Sequence, residues 1–332
     1  MSNTLYDNHG RPISYLRLAV TDRCNLRCFY CMPAEGIKYI PRKELLTYEE
    51  MLRLVTLLAG MGITKVRITG GEPFVRKDMI HFMERLSEVP RLEAINLTTN
   101  GVLTWKYIDK LKALGINSVN LSIDTIDQER FKQITRRDEL PQVLKTFHLL
   151  LEAGIKTKLN AVVMEGQNEE DIIPLALLSK DHPVDVRYIE EMPFNGEGAH
   201  YTKLKWTHRA ILDKLKSQFP DIKPVKSEPH ATARQYQVPG HTGKLGIIPA
   251  FSRTFCGSCN RIRMTAKGQL KTCLYDEGVL DIKQLMRSGA SDEVLEAAFL
   301  KAFRSRAKDG FEAEKNRSNN NEVSESMSTI GG

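Results

Sequence analysis

The sequence predicts an α/β protein: a partial barrel of six β/α units, (β/α)6, followed by a C-terminal extension. Three observations carry this. Six apolar, β-rich segments recur, and most are followed by a helical pattern. Repeated βα units imply parallel strands joined by right-handed crossovers. In strand after strand one face is polar, which a doubly wound sheet buried on both sides does not allow. A curved sheet with helices outside and a polar, ligand-holding concave face fits better. Its working groups then lie toward the strands' C-terminal ends.

The six segments are SYLRLAVT (14–21), KVRIT (65–69), LEAINLTT (92–99), SVNLSID (118–124), KTKLNAVV (156–163) and VDVRYIEEM (184–192). Side chains alternate along a strand. Tyr15, Arg17 and Ala19 therefore share one face, as do Lys65, Arg67 and Thr69. So do Asn96, Thr98 and Asn100; Asn120, Ser122 and Asp124; and Lys156, Lys158 and Asn160. The opposite faces are apolar. Between the strands lies TYEEMLRLVTLLAGMG, where Thr47 and Glu50 have the spacing of a capping box. Similar helices are readable at 77–88, 104–114, 139–153 and 168–181.

After about residue 195 the pattern changes. A helix at 207–218 leads to short strands with turn residues, then to a second cysteine group and helices near 281–288 and 291–307. The polar stretch 312–332 reads as a mobile tail. The expected division is a barrel core over 5–230 and a C-terminal region over 231–332.

Composition bounds the function. Of 332 residues 41% are hydrophobic and 27% charged, as in a soluble globular protein. No run of about 18 apolar residues exists, so no membrane partner is expected. The first 18 residues lack an apolar signal core, so the expected location is cytoplasmic. In that reducing compartment six cysteines favour metal binding over disulfides. The net charge of +7 suits nucleic acid or a small anion. No aromatic-rich RNA motif or basic helix stands out, so an RNA-binding iron–sulfur protein is the weaker reading.

The stretch CNLRCFYC places Cys24, Cys28 and Cys31 in eight positions, with no fourth ligand beside them. Three thiolates can hold three corners of a [4Fe–4S] cube and leave one iron open to a small molecule. A zinc or structural site is the alternative. The second group is Cys256, Cys259 and Cys273, again without a fourth cysteine. The hairpin-like RIRMTAKGQLKTC can bring Cys273 back to the first pair. Zinc completed by His241 is the alternative there. Arg261 and Arg263 alternate with Ile262 and Met264, so both guanidiniums face one way and suit a phosphate or nucleobase. Arg17, Arg67 and Lys158 inside apolar strands are costly unless an anion meets them. Buried salt bridges to Asp124 or Glu190 would serve instead.

CNLRCFYC and the TGGEP that follows the second strand (69–73) resemble the radical S-adenosylmethionine enzymes. KVRITGGEP, TTNG (98–101), NLSID (120–124), VRYIE (186–190), GIIP (246–249), CGSCNRIRMT and the final Ile330-Gly331-Gly332 resemble one family of them. This is the GTP 3′,8-cyclase family of molybdenum cofactor biosynthesis. The resemblance implies two [4Fe–4S] clusters, on Cys24, Cys28 and Cys31 and on Cys256, Cys259 and Cys273. It implies S-adenosylmethionine contacts at Tyr30, Gly71, Glu72, Ser122 and Met192. GTP contacts are implied at Arg17, Arg67, Thr98, Lys158, Arg261 and Arg263, with Arg187 near one of the two ligands. Arg17, Gly331 and Gly332 form the implied catalytic set, the diglycine reaching into the barrel to close the radical chamber. The implied reaction is abstraction of the ribose 3′ hydrogen and attack on guanine C8. Implied partners are a reductant such as flavodoxin or ferredoxin and a downstream cyclic pyranopterin monophosphate synthase, with the chain a monomer or homodimer. A peptide-modifying radical enzyme with an auxiliary cluster is the alternative.

Overall fold

A computed structural model describes residues 4–192, 204–317 and 326–331. Six parallel strands form its centre: β1 (Tyr15–Ala19), β2 (Lys65–Thr69), β3 (Ala94–Thr99), β4 (Ser118–Ser122), β5 (Thr157–Val163) and β6 (Asp185–Glu190). They pair in chain order and in parallel, as the βα alternation requires.

The C-terminal half extends this sheet at both ends. β7 (Lys223–Val225), β8 (Arg234–Gln237) and β9 (Lys244–Ile248) form an antiparallel meander whose last strand runs parallel to β6. β10 (Arg261–Met264) runs parallel to β1, and β11 (Gln269–Lys271) and β12 (Leu280–Asp281) follow antiparallel. The twelve strands make one open sheet, β12-β11-β10-β1-β2-β3-β4-β5-β6-β9-β8-β7. The boundary expected at 230/231 lies between β7 and β8, inside this sheet.

Helices cover the convex side. α1 (Tyr48–Met61) begins with the expected capping box: Thr47 Oγ1 accepts from Glu50 N–H, and the Glu50 carboxylate accepts from Thr47 N–H. α2 (Met79–Ser87), α3 (Ile108–Ala113), α4 (Gln128–Thr135), α5 (Leu140–Glu152) and α6 (Ile172–Asp181) complete the units. α4 has no counterpart in the sequence reading. It is capped by Asp127, which accepts from Arg130 N–H. α7 (His208–Gln218), α8 (Ile282–Arg287), α9 (Asp292–Phe303), α10 (Gly310–Lys315) and α11 (Met327–Ile330) belong to the C-terminal half.

The core divides into two apolar layers between sheet and helices. Leu16, Leu18, Val66, Ile68 and Leu97 pack against α1, α2 and α9. Leu121, Leu159, Val186 and Leu245 pack against α5 to α7. On β1 to β5 these are the faces that the alternation predicted as apolar. The expectation of a mobile tail over 312–332 fails where the chain is described. α10 packs through Gly310 and Ala313, and Ser326, Ser328, Ile330 and Gly331 are buried. Gly332 lies outside the described residues.

Candidate active site

The concave face encloses a cavity of about 680 Å³, within the range of ligand pockets. Its wall is the polar set read from the strands: Tyr15, Arg17, Lys65, Arg67, Thr69, Asn96, Thr98, Asn120, Ser122, Asp124, Lys158 and Asn160. Register sets these side chains shoulder to shoulder. Arg17 is paired with Arg67 on one side and Arg263 on the other, and Tyr15 with Lys65 and Arg261. Lys158 pairs with Asp185 and Asn160 with Arg187.

Such crowding of cations has electrostatic consequences. Burial, then the charge of Arg263, holds the Arg17 pKa well below the usual guanidinium range. Burial followed by neighbouring arginines brings Arg187 and Arg263 down to about 10. Burial and then Arg187 bring Lys158 to about 8, although Asp185 lies 3.6 Å away. Tyr15 donates no charge of its own at neutral pH, but its hydroxyl accepts from Arg67 Nε at 2.5 Å. Burial disfavours its phenolate; Arg67 and Arg17 outweigh this and lower it to about 8.

Asp185 meets Lys158, whereas Asp124 and Glu190 are engaged elsewhere. Asp124 accepts from the Tyr30 hydroxyl and from Val162 N–H, both at 2.8 Å. Glu190 accepts from His208 and Ser252. Among the described residues, Thr69 Oγ1, Asn96 Nδ2, Thr98 Oγ1, Asn120 Oδ1, Asn160 Oδ1, Arg187 Nε and Nη2, and Arg261 Nη2 are buried without a hydrogen-bond partner. Buried polar groups are rarely left so. This wall is built to meet a polar, anionic molecule.

Both cysteine groups open into the same cavity, and all six cysteines are free thiols. Cys24, Cys28 and Cys31 lie on the loop after β1. Leu26 N–H and Asn100 Nδ2 approach Cys24 Sγ at 3.4 and 3.5 Å. The loop is braced from α4: Arg27 N–H and Phe29 N–H donate to the carbonyls of Thr135 and Ile134, and Arg136 to those of Arg27 and Met32. Cys256 and Cys259 flank a single 3-10 turn, and the β10–β11 hairpin returns Cys273 to the same wall, as expected. Burial raises the thiols of Cys24 to about 12 and Cys273 to about 11, and raises Cys28, Cys31 and Cys256 as well. Cys259 differs. Burial opposes its ionisation, but Arg261 and Arg306 bring it to about 6.

The donor chemistry fits iron–sulfur clusters. Three thiols suffice for three corners of a four-iron cube, whereas a structural zinc site takes four ligands. His241 cannot complete the second triad. It is bonded to Ser179 of α6 and packed against Phe219, on the convex side.

Tyr30, Gly71, Ser122 and Met192 line the cavity. Glu72 is not among the lining residues. Its carboxylate is fully buried and accepts from Phe74 N–H, Asn100 N–H and the Thr99 hydroxyl. It shapes the TGGEP and TTNG loops instead. Gly71 is required by packing: a Cβ there would lie 2.2 Å from the carbonyl oxygen of Arg23, beside Cys24. The C-terminal segment crosses the cavity. Ser326 Oγ donates to the Cys31 carbonyl, and the Gly331 carbonyl accepts from Arg263 Nη1 at 3.0 Å and from Arg17 Nε at 3.4 Å. Sequence reasoning missed Asp7, Arg11, Arg253 and Arg306, whose contacts to this site join distant parts of the chain.

A curved parallel sheet with an open cysteine triad after its first strand defines a class. Residues 18–178 match the Radical SAM superfamily, which brings with it one [4Fe–4S] cluster and S-adenosylmethionine. Residues 184–311 match Molybdenum Cofactor Synthesis C. The chain belongs to the GTP 3′,8-cyclase family of molybdenum cofactor biosynthesis proteins. It is 40% identical over 297 residues to GTP 3′,8-cyclase of Alkaliphilus oremlandii, covering 89% of this chain and 92% of that protein. It is 39% identical to the mitochondrial GTP 3′,8-cyclase of Arabidopsis thaliana, over 89% of this chain and 76% of that one. It is 40% identical to Molybdenum cofactor biosynthesis protein 1 of Mus musculus, over 88% of this chain but 46% of that protein. The chain thus spans about half the length of such animal relatives. In fold it is similar to Streptococcus suis SuiB bound to S-adenosylmethionine (TM-score 0.58, 16% identity), over 87% of this chain and 69% of that one. No described helix is long and apolar enough to cross a membrane.

Proposed function

We propose that the chain is a radical S-adenosylmethionine GTP 3′,8-cyclase, acting on GTP in the first step of molybdenum cofactor biosynthesis. One observation carries the reading. A single cavity joins two open cysteine triads across a wall where Arg17, Arg67, Lys158, Arg187, Arg261 and Arg263 crowd together. A nucleoside triphosphate supplies the negative charge such a wall needs.

Cys24, Cys28 and Cys31 would hold the first cluster, and Cys256, Cys259 and Cys273 a second [4Fe–4S] cluster. When bound, the first cluster and S-adenosylmethionine supply a hydrogen-abstracting radical. The rest falls to the chain. Tyr30, Gly71, Ser122 and Met192 surround the methionine and adenosine moieties. Arg67 on β2, Lys158 on β5 and Arg187 on β6 hold the phosphates. Arg17, Arg261 and Arg263 hold the nucleoside beside the second triad, and Thr98 offers an unpaired hydroxyl. The 326–331 segment, bonded to Cys31 and Arg263, shields this space from water and from stray hydrogen donors. A one-electron reductant, a downstream synthase acting on the product, and a cytoplasmic location complete the reading.

A peptide substrate is the competing reading. It explains neither Arg187 nor the Arg263–Arg17–Arg67 row. The test is anaerobic reconstitution with iron and sulfide, then incubation with S-adenosylmethionine, a strong reductant and GTP. The expected product is 3′,8-cyclised GTP, with about eight irons per chain for two four-iron clusters. Zinc in stoichiometric amount, or S-adenosylmethionine cleavage indifferent to GTP, would sink the proposal.

A further inference from the structure

Asp7 and Arg11 precede the residues matched by either family model, and sequence reading gave them no role. Yet Asp7, Arg11 and Arg306 are buried together behind the second cysteine triad. Asp7 Oδ2 accepts from Arg11 Nε at 2.6 Å and from Arg306 Nη1 at 3.3 Å. Its Oδ1 accepts from the N–H groups of His9 and Arg11.

The two guanidiniums reach all three ligand segments. Arg11 donates to the carbonyl of Cys256 and to those of Ala307 and Lys308. Arg306 Nε donates to the carbonyl of Thr272, next to Cys273. Its Nη1 donates to the Cys259 carbonyl, and its Nη2 to the Arg261 carbonyl at 2.8 Å and the Cys259 sulfur at 3.2 Å. Counting Asp7, the five N–H groups of Arg306 have five acceptors, a fork no lysine can reproduce.

Charge adds a second line. Two arginines and one aspartate leave one positive charge buried here. An uncompensated buried charge is expensive. Three thiolates around a doubly positive four-iron core would carry one net negative charge, the sign that this group and the neighbouring Arg261 favour.

We propose that Arg306, clamped by Asp7 and Arg11, is the positioning residue of the second cluster. It fixes the spacing of the three cysteines and donates a hydrogen bond to one of their sulfurs. Hydrogen bonds to the sulfurs raise a cluster's reduction potential. This inference rests on the second triad holding a [4Fe–4S] cluster.

The experiment isolates that cluster in the full chain by replacing Cys24, Cys28 and Cys31 with alanine. About four irons should remain, with the spectrum of one four-iron cluster. No iron there would end the second-cluster reading and this proposal with it. In the isolating background, R306K keeps the charge but removes the fork, and D7N keeps the shape but releases it. Each should lower the iron content. In the cluster that remains, the reduction equilibrium should move tenfold or more toward the oxidised form, about 59 mV lower for a one-electron couple. With all six cysteines present, R306K and D7N should fall from about eight irons toward about four, keeping the first cluster's signal with S-adenosylmethionine. In the isolating background, four irons at unchanged potential in both variants would overturn the proposal. So would equal loss of both clusters, which would mark Arg306 as a general support of the fold.

Discussion

Lys158 should make GTP binding weaken as the pH rises above 8. Its ammonium must be present to meet a phosphate. Burial, then the charge of Arg187, holds its pKa at about 8, while Asp185 pulls the other way and Lys156 and Arg67 add to the depression. The side chain is 22% exposed, so solvent screens the effect little. In the free protein the charge is present below pH 8 and lost above it. Bound phosphate raises the pKa again, so at high pH each binding event must take up a proton. One unit above the free pKa, about one molecule in ten is ready to bind, a loss of about 1.4 kcal/mol. Tyr15, also near 8, acts in the same direction, because its phenolate would repel the ligand. Titration calorimetry at pH 7, 8 and 9, in two buffers of different ionisation enthalpy, measures both affinity and proton uptake. Lys158→Arg keeps its charge and should remove about one log unit from the rise in Kd between pH 7 and 9. Stability moves the opposite way. Between about 8 and 10.5 the unfolded chain holds a proton on Lys158 that the folded chain has lost, so unfolding becomes harder as pH rises. An Arg variant with the wild-type slope would refute the assignment of Lys158 to the phosphates.

Arg17→Ala and Arg67→Ala should each weaken GTP binding by roughly 1–3 kcal/mol, the worth of a charge-assisted contact, and leave S-adenosylmethionine affinity unchanged by the same calorimetry. Gly71→Ala should lower the unfolding midpoint through a clash of about 1–3 kcal/mol, because its Cβ meets backbone, which cannot rotate away. Gly331→Ala sits at φ 78° and would set a Cβ 2.6 Å from Thr69 Oγ1. It should leave iron content and GTP affinity near wild type while product formation collapses, read by product chromatography; full turnover would show that the segment's seat is unimportant.

The concave wall was legible because a strand's period of two sorts side chains without knowledge of their partners. Arg17, Arg67, Thr98 and Lys158 all land where alternation put them. Glu72 was implied by resemblance, not by alternation. It lies past β2, on a loop, where spacing no longer fixes direction, and its carboxylate turned to Thr99 and Asn100. α4 escaped because QERFKQIT buries only Phe131, Ile134 and Thr135 on a strongly charged segment. The pairing of β10 with β1 joins Arg261 to Tyr15 across most of the chain. No local pattern encodes such a contact. The same distance hid Asp7 and Arg11 from Arg306.

Ala19 shares a face with Tyr15 and Arg17, yet it is apolar and fully buried. In register it pairs with Thr69, whose hydroxyl has no hydrogen-bond partner. Gly331 occupies the space above this pair: a Cβ there would lie 3.0 Å from Ala19 Cβ. A larger residue at either position would lift the segment off the sheet. Its carbonyl would then leave Arg263 and Arg17, two cations that repel each other across one register step. A neutral carbonyl shared between them is a weak acceptor for two charges, whereas a nucleotide brings full negative charge. The small side chain in a polar row is thus the seat of the C-terminal segment, and the segment in turn keeps the paired guanidiniums hydrogen-bonded on a wall otherwise short of acceptors.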